Sequence, residues 1–192
     1  LLTALTMLDH VTPDTQFTVG SELSLVGANS STAKLKKGYV LNTEQILDAL
    51  LIPSGNDAAY VIAAHVGRKL AKDPQIADSD AVNLFLEKMN DKAKTLGAVD
   101  SNFTCPDGYP NKTQYTTAAD MLKISVAAAQ NETIRQTTSK TFVSYTMPDG
   151  TVLKYTNTNQ LIVPSNGNYY EGLFGLKTGT TNAAGQCLIA GC

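Results

Sequence analysis

The chain has 192 residues, 43% hydrophobic and 17% charged, with a formal net charge of -2. It is long enough to bury one core, and with no basic stripe to displace counterions it excludes a nucleic-acid binder. Three widely spaced cysteines (Cys105, Cys187, Cys192) and two isolated histidines (His10, His65) form neither a disulfide framework nor a metal-ligand set, so no metal or cofactor is expected.

Leu1 to Asp9 reads as a helix with Leu1, Leu5 and Leu8 on one face. A turn follows, then a short strand over Gln16 to Val19, and Ser21 to Lys37 reads mostly as loop, closed by a turn at Gly38. Asn42 with Gln45 three residues on predicts a capping box, and Ile46, Leu47, Leu50 and Leu51 form a buried stripe behind it. Pro53 closes that helix, because proline pushes the residue before it away from helical torsions. Ser54-Gly55 must then be a tight turn, with Asn56 or Asp57 capping the next helix, Ala58 to Arg68. That helix is apolar nearly all round, His65 included as a packed core residue, so it should be central. A polar Ser54-Gly55-Asn56 corner is thus pinned between two buried helices. It is either a plain helix–turn–helix or a rigid mount for a catalytic group.

Val82, Phe85, Leu86, Met89, Ala93 and Leu96 recur at helical spacing until Gly97 stops them. Asn102 to Tyr109 is a loop. Thr117 opens a further helix with a face of Met121, Leu122, Ser125 and Ala128, and Asn131 to Thr137 is one more helical piece. From Thr141 the period becomes extended, and Met147-Pro-Asp-Gly150 turns a hairpin between Thr141–Thr146 and Thr151–Tyr155. A polar stretch, Thr156 to Tyr170, leads to two apolar runs, Leu173–Leu176 and Gln186–Ala190. These read as antiparallel strands with Lys177 near the end of the first and Cys187 buried on the second. Helices first and antiparallel strands afterwards, without βαβ alternation, give an α+β class: a helical cluster packed on an antiparallel sheet.

Lys177-Thr178-Gly179 admits two accounts. A lysine on an edge strand discourages sheet-to-sheet pairing. Alternatively, an ammonium, the Thr178 and Thr180 hydroxyls, and a glycine that admits an extended ligand make an anion-binding corner.

Together, Ser54-Gly55-Asn56 between helices and Lys177-Thr178-Gly179 on a late strand resemble two of the three active-site motifs of penicillin-recognising serine enzymes. The sequence around them is similar to the low-molecular-weight penicillin-binding proteins, the serine D-alanyl-D-alanine carboxypeptidases. The similarity includes Leu50 to Ala59, Leu96-Gly97, Tyr115 to Ala118 and Asn157-Thr158-Asn159, and runs along nearly the whole chain. Cys105 and Asp107 depart from the pattern, in a loop where the family often has Asn and His. The resemblance implies a β-lactamase/transpeptidase-like catalytic domain over 1–192. By alignment the first motif, S-x-x-K, with the nucleophilic serine and its lysine base, falls just before Leu1. Ser31-Thr-Ala-Lys34 has the letters but reads as loop. The expectation is therefore a piece truncated at both ends, without the nucleophile, the C-terminal strand, helix and accessory domain or any membrane anchor. It could bind but not acylate, and Leu1 to Leu8 would expose apolar faces.

For the residues present, the resemblance implies that Ser54 relays a proton and Asn56 donates to a substrate carbonyl. It gives Lys177 the role of holding the site electropositive. Thr178 and Thr180 hydroxyls would bond the terminal carboxylate, the Thr180 N–H would form half of an oxyanion hole, and Gly179 would let the peptide lie along the strand. The implied partners are the peptidoglycan stem peptide and β-lactams, as covalent inhibitors of the parent protein, outside the cytoplasmic membrane. Two rivals stand beside this reading. A class A β-lactamase would carry S-D-N and a further glutamate for deacylation, and a non-catalytic wall-binding module could retain the same fold.

Overall fold

Ala58 to Val66 has apolar side chains on nearly every face, and such a segment has no stable place at a water boundary. In a computed structural model that describes residues 1–192, it lies inside helix α3, Asn56–Ala71, whose Ala58, Ala59, Ile62 and Ala63 are fully buried. Around α3 pack α1 (Leu2–Leu8), α2 (Thr43–Leu51) and α4 (Asp78–Thr95), which share a core cluster of 34 buried residues. The α3–α4 approach is close enough that a Cβ on Gly67 would collide with the Ala81 carbonyl. His65 packs against Phe17 with ring centres 4.5 Å apart and the rings tilted by 43°. Two further helices, α5 (Ala118–Gln130) and α6 (Glu132–Ser139), start at Thr117 and Asn131, whose side chains accept the N–H groups of Asp120 and Ile134.

The strands are all antiparallel and form three two-stranded sheets: β1 (Gln16–Thr18) with β2 (Val40–Asn42), β3 (Phe142–Thr146) with β4 (Val152–Thr156), and β5 (Gly175–Thr181) with β6 (Gly185–Gly191). Helical body and antiparallel strands together are the α+β arrangement expected. The capping box at Asn42 and Gln45 is present. No helix is long and apolar enough to cross a membrane.

Several expectations are corrected. Lys177 lies two residues into β5, because pairing with β6 continues from Gly175↔Gly191 through Lys177↔Ile189 to Thr181↔Gly185. Apolar character alone stops at Leu176, but backbone pairing does not need it. Cys187 is exposed rather than buried, since β6 turns most of its side chains to solvent. Helix α3 begins at Asn56 with Gly55 as its N-cap and no side-chain cap, because glycine has no side chain to supply one. Leu122 is 64% exposed. The face of α5 rotates toward Asp120, Ile124, Ser125 and Ala128, because the buried Asp120 carboxylate accepts the Asp100 N–H at 2.7 Å and the Ser101 hydroxyl at 2.8 Å. Leu2 and Leu5 are buried in the main core, and Leu1 and Leu8 pack against it, so α1 does not present an apolar face to water.

Candidate active site

The Ser54 corner is built by constraint. Helix α2 ends before Pro53, and Ser54 adopts φ 61, a left-handed conformation costly for a residue with a Cβ. Gly55 follows where nothing larger fits: a Cβ there would lie 2.6 Å from the Ala49 carbonyl oxygen and 2.8 Å from the Ala33 Cβ. The Gly55 N–H donates to Ala49 O at 3.1 Å and the Asn56 N–H to Ser31 O at 2.9 Å, so the corner is tied to α2 and to the 31–35 loop. Asp57, 3% exposed, completes the anchor by accepting the N–H groups of Ala33 at 2.8 Å and Leu35 at 3.0 Å. A buried carboxylate is tolerable only with such partners. The Ser31 hydroxyl donates to Pro53 O at 3.0 Å and Lys34 is exposed, so that pair holds the loop and forms no nucleophile–base unit.

The second motif arrives on β5, which pairs with β6 along one edge and leaves the other unpaired. Gly175 brings the start of β5 against α6, where a Cβ would sit 2.8 Å from Thr138. This seating carries Lys177 across to the corner. Its Nζ donates to Ser54 Oγ at 2.8 Å and to the Thr178 carbonyl at 2.7 Å. Burial, with no acidic neighbour to offset it, lowers the Lys177 pKa to about 8. An ammonium so placed attracts an anion.

Ser54, Asn56, Lys177, Thr178, Gly179 and Thr180 all line one open cleft of about 1470 Å³. All six residues singled out in the sequence are therefore brought together. The amino end of α1, Leu1 to Thr3, lines the same cleft, and the Thr3 hydroxyl donates to Pro106 O at 2.6 Å, tying α1 to the 103–109 loop. Sequence reasoning passed over two supports. Asp57 reads only as a helix cap; its carboxylate does accept the first-turn Ala58 N–H at 3.0 Å, but it also anchors the 31–35 loop. Thr158, within the Asn157-Thr158-Asn159 run, has its hydroxyl 2.5 Å from that of Thr178, and only the similarity of that run to the family pointed toward it.

The fold is similar to that of a DD-transpeptidase. The crystal structure of the Streptomyces K15 DD-transpeptidase matches with a TM-score of 0.84 at 30% identity, covering 98% of this chain and 71% of that one. A D-alanyl-D-alanine carboxypeptidase from Mycobacterium tuberculosis H37Rv matches with a TM-score of 0.76 at 29% identity, covering 96% and 63%. The family model for D-alanyl-D-alanine carboxypeptidase matches residues 1–192, and the chain belongs to that family. Among its relatives, DacB2 of Mycobacterium tuberculosis is 32% identical over 98% of this chain and 58% of its own length. The D-alanyl-D-alanine carboxypeptidase of Streptomyces strain K15 is 34% identical over 86% and 55%. The chain thus spans little more than half the length of these relatives.

Proposed function

We propose that this chain is the larger part of the catalytic domain of a serine D-alanyl-D-alanine carboxypeptidase. It would act outside the cytoplasmic membrane on the pentapeptide stems of peptidoglycan and be acylated by β-lactams. The observation that carries the reading is the Lys177 to Ser54 hydrogen bond of 2.8 Å, which joins the two motifs beside an unpaired strand edge.

On this reading the stem peptide adds as a strand along the free edge of β5, with Gly179 leaving room for its backbone. Its terminal carboxylate meets the Thr178 and Thr180 hydroxyls within the field of Lys177, and Asn56 donates its amide to a substrate carbonyl. The attacking serine and its lysine belong to the motif that the resemblance places ahead of Leu1, at the end of α1 that lines the cleft. The serine oxygen bonds to the carbonyl carbon of the penultimate D-alanine while its proton passes to the motif lysine. The Thr180 N–H stabilises the developing oxyanion; one such donor is worth about 3–4 kcal/mol. The C–N bond then breaks, and the departing D-alanine amine receives a proton through the Ser54 hydroxyl, which both accepts and donates. Water releases the acyl group.

Intact mass after incubation with benzylpenicillin tests this. The 192-residue chain is compared with one extended upstream through the S-x-x-K motif, and with that extended chain carrying Lys177→Ala. An adduct on the extended chain, diminished by Lys177→Ala and missing from the short one, is expected. An adduct on the short chain would make Ser31 or Ser54 the nucleophile and overturn the alignment. No adduct on either would favour a non-catalytic wall-binding module.

A further inference from the structure

Thr158 lies outside the three motifs, yet it is held at the cleft with unusual care. The two asparagines beside it are buried, Asn157 at 9% and Asn159 at 3% exposure, while Thr158 itself faces the cleft. The Asn157 side chain donates to the carbonyls of Lys140 at 2.9 Å and Thr138 at 3.2 Å, and its Oδ1 accepts the Asn159 N–H at 2.9 Å. The Thr158 N–H donates to Ile52 O at 3.3 Å, next to the Pro53 that shapes the Ser54 corner. Its side chain is thereby set 2.5 Å from the Thr178 hydroxyl.

Each of these hydroxyls has one proton, and each can accept as well as donate. With nothing bound, either can donate to the other. An anion at Thr178 removes that freedom: Thr178 must turn its proton toward the anion, and Thr158 must then donate to the Thr178 oxygen. A donor behind the Thr178 hydroxyl polarises it and strengthens the outward bond. An uncharged carbonyl or amide at the same place exerts far less demand on this arrangement, because hydrogen bonds to ionised acceptors are about twice as strong as neutral ones.

We infer that Thr158 is a positioning residue for carboxylate recognition. By donating to Thr178 it commits the Thr178 proton to the terminal carboxylate of the ligand, and it favours carboxylate-ended over amide-ended peptides. The inference rests on the proposed function for the identity of the peptide, but its physical content, an anion-directed hydroxyl pair, does not depend on that reading.

The test is an NMR titration of the 192-residue chain, following the backbone amides of Lys177 to Thr180. The probes are D-alanyl-D-alanine, its C-terminal amide, and acetate. Replacing Thr158→Val keeps the shape and removes the donor, so the dissociation constants for the dipeptide and for acetate should rise about three- to ten-fold. Affinity for the dipeptide amide should stay unchanged, and Thr158→Ser should restore carboxylate binding. The inference is overturned if the valine variant binds the carboxylates as the wild type does. Equal weakening of all three probes, a merely structural effect, overturns it too. A wild-type chain that responds to acetate but not to the dipeptide removes the proposed function, and the inference then stands or falls on acetate with the valine variant. A chain silent to all three probes overturns both.

Discussion

Lys177 Nζ donates to Ser54 Oγ at 2.8 Å, although the two residues are 123 positions apart. The contact needs the left-handed Ser54 on one side and the seating of β5 against α6 on the other. Because burial lowers the Lys177 pKa to about 8, from an ordinary 10.5, its charge titrates within reach of working conditions. Side-chain NMR on labelled lysine should show one midpoint near pH 8. The folded state then binds fewer protons than the unfolded one between about pH 8 and 10.5, so this group makes stability rise with pH across that window. Carboxylate affinity should move the other way and fall as pH passes 8. Ser54→Ala removes an acceptor for the ammonium and should push the midpoint lower still. A midpoint above 10 would contradict the burial described.

Gly55 leaves no room for a side chain. A Cβ there would also lie 2.8 Å from the Asp57 carboxylate that holds Ala33 and Leu35. Gly55→Ala should destabilise the protein by about 1–3 kcal/mol through forced displacement of backbone, read from urea unfolding. Gly55→Asp, which would give the S-D-N of the class A β-lactamases, should be worse, because a second carboxylate would face Asp57. An unchanged unfolding midpoint for Gly55→Ala would show that the corner is looser than its geometry.

Asp48, fully buried, accepts the Lys140 ammonium on both oxygens at 2.9 Å and also the Tyr145 hydroxyl. Burial nevertheless raises its pKa, so the partners only partly offset the loss of water. Lys140→Met leaves that carboxylate short of its counter-charge and should cost about 3 kcal/mol. Adding Asp48→Leu should recover much of the loss. The double-mutant cycle by thermal unfolding decides, and strictly additive losses would mean that the pair is not coupled.

The three cysteines should react very differently. Cys187 and Cys192 are exposed, while Cys105 bonds to Tyr109 O and Gln114 Oε1, and burial raises its pKa from 9.0 to about 11. Only the thiolate alkylates, so at pH 8 a two-unit rise makes Cys105 roughly a hundred-fold less reactive than an ordinary thiol. Brief treatment with iodoacetamide followed by peptide mapping should find Cys187 and Cys192 modified and Cys105 intact. Rapid labelling of Cys105 would mean that the 103–109 loop opens.

Much of this protein is local in origin and therefore legible in its sequence. The cap at Asn42, the stop at Pro53, the apolar α3 and the Met147–Gly150 turn depend on neighbours a few residues away, and periodicity reports them. The two motifs were legible as letters for the same reason: a turn that must be tight and a strand that carries a lysine. What the sequence could not decide was set by pairs distant in the chain. The reach of β5 past Leu176 depends on β6, and the rotation of α5 depends on the Asp120 carboxylate finding Asp100 and Ser101. The work of Asp57 depends on a loop more than twenty residues upstream, and Thr158 matters only because Thr178 is folded to within 2.5 Å of it. Hydrogen bonds are satisfied by whatever partner the fold delivers, and neither propensity nor period contains that partner's identity.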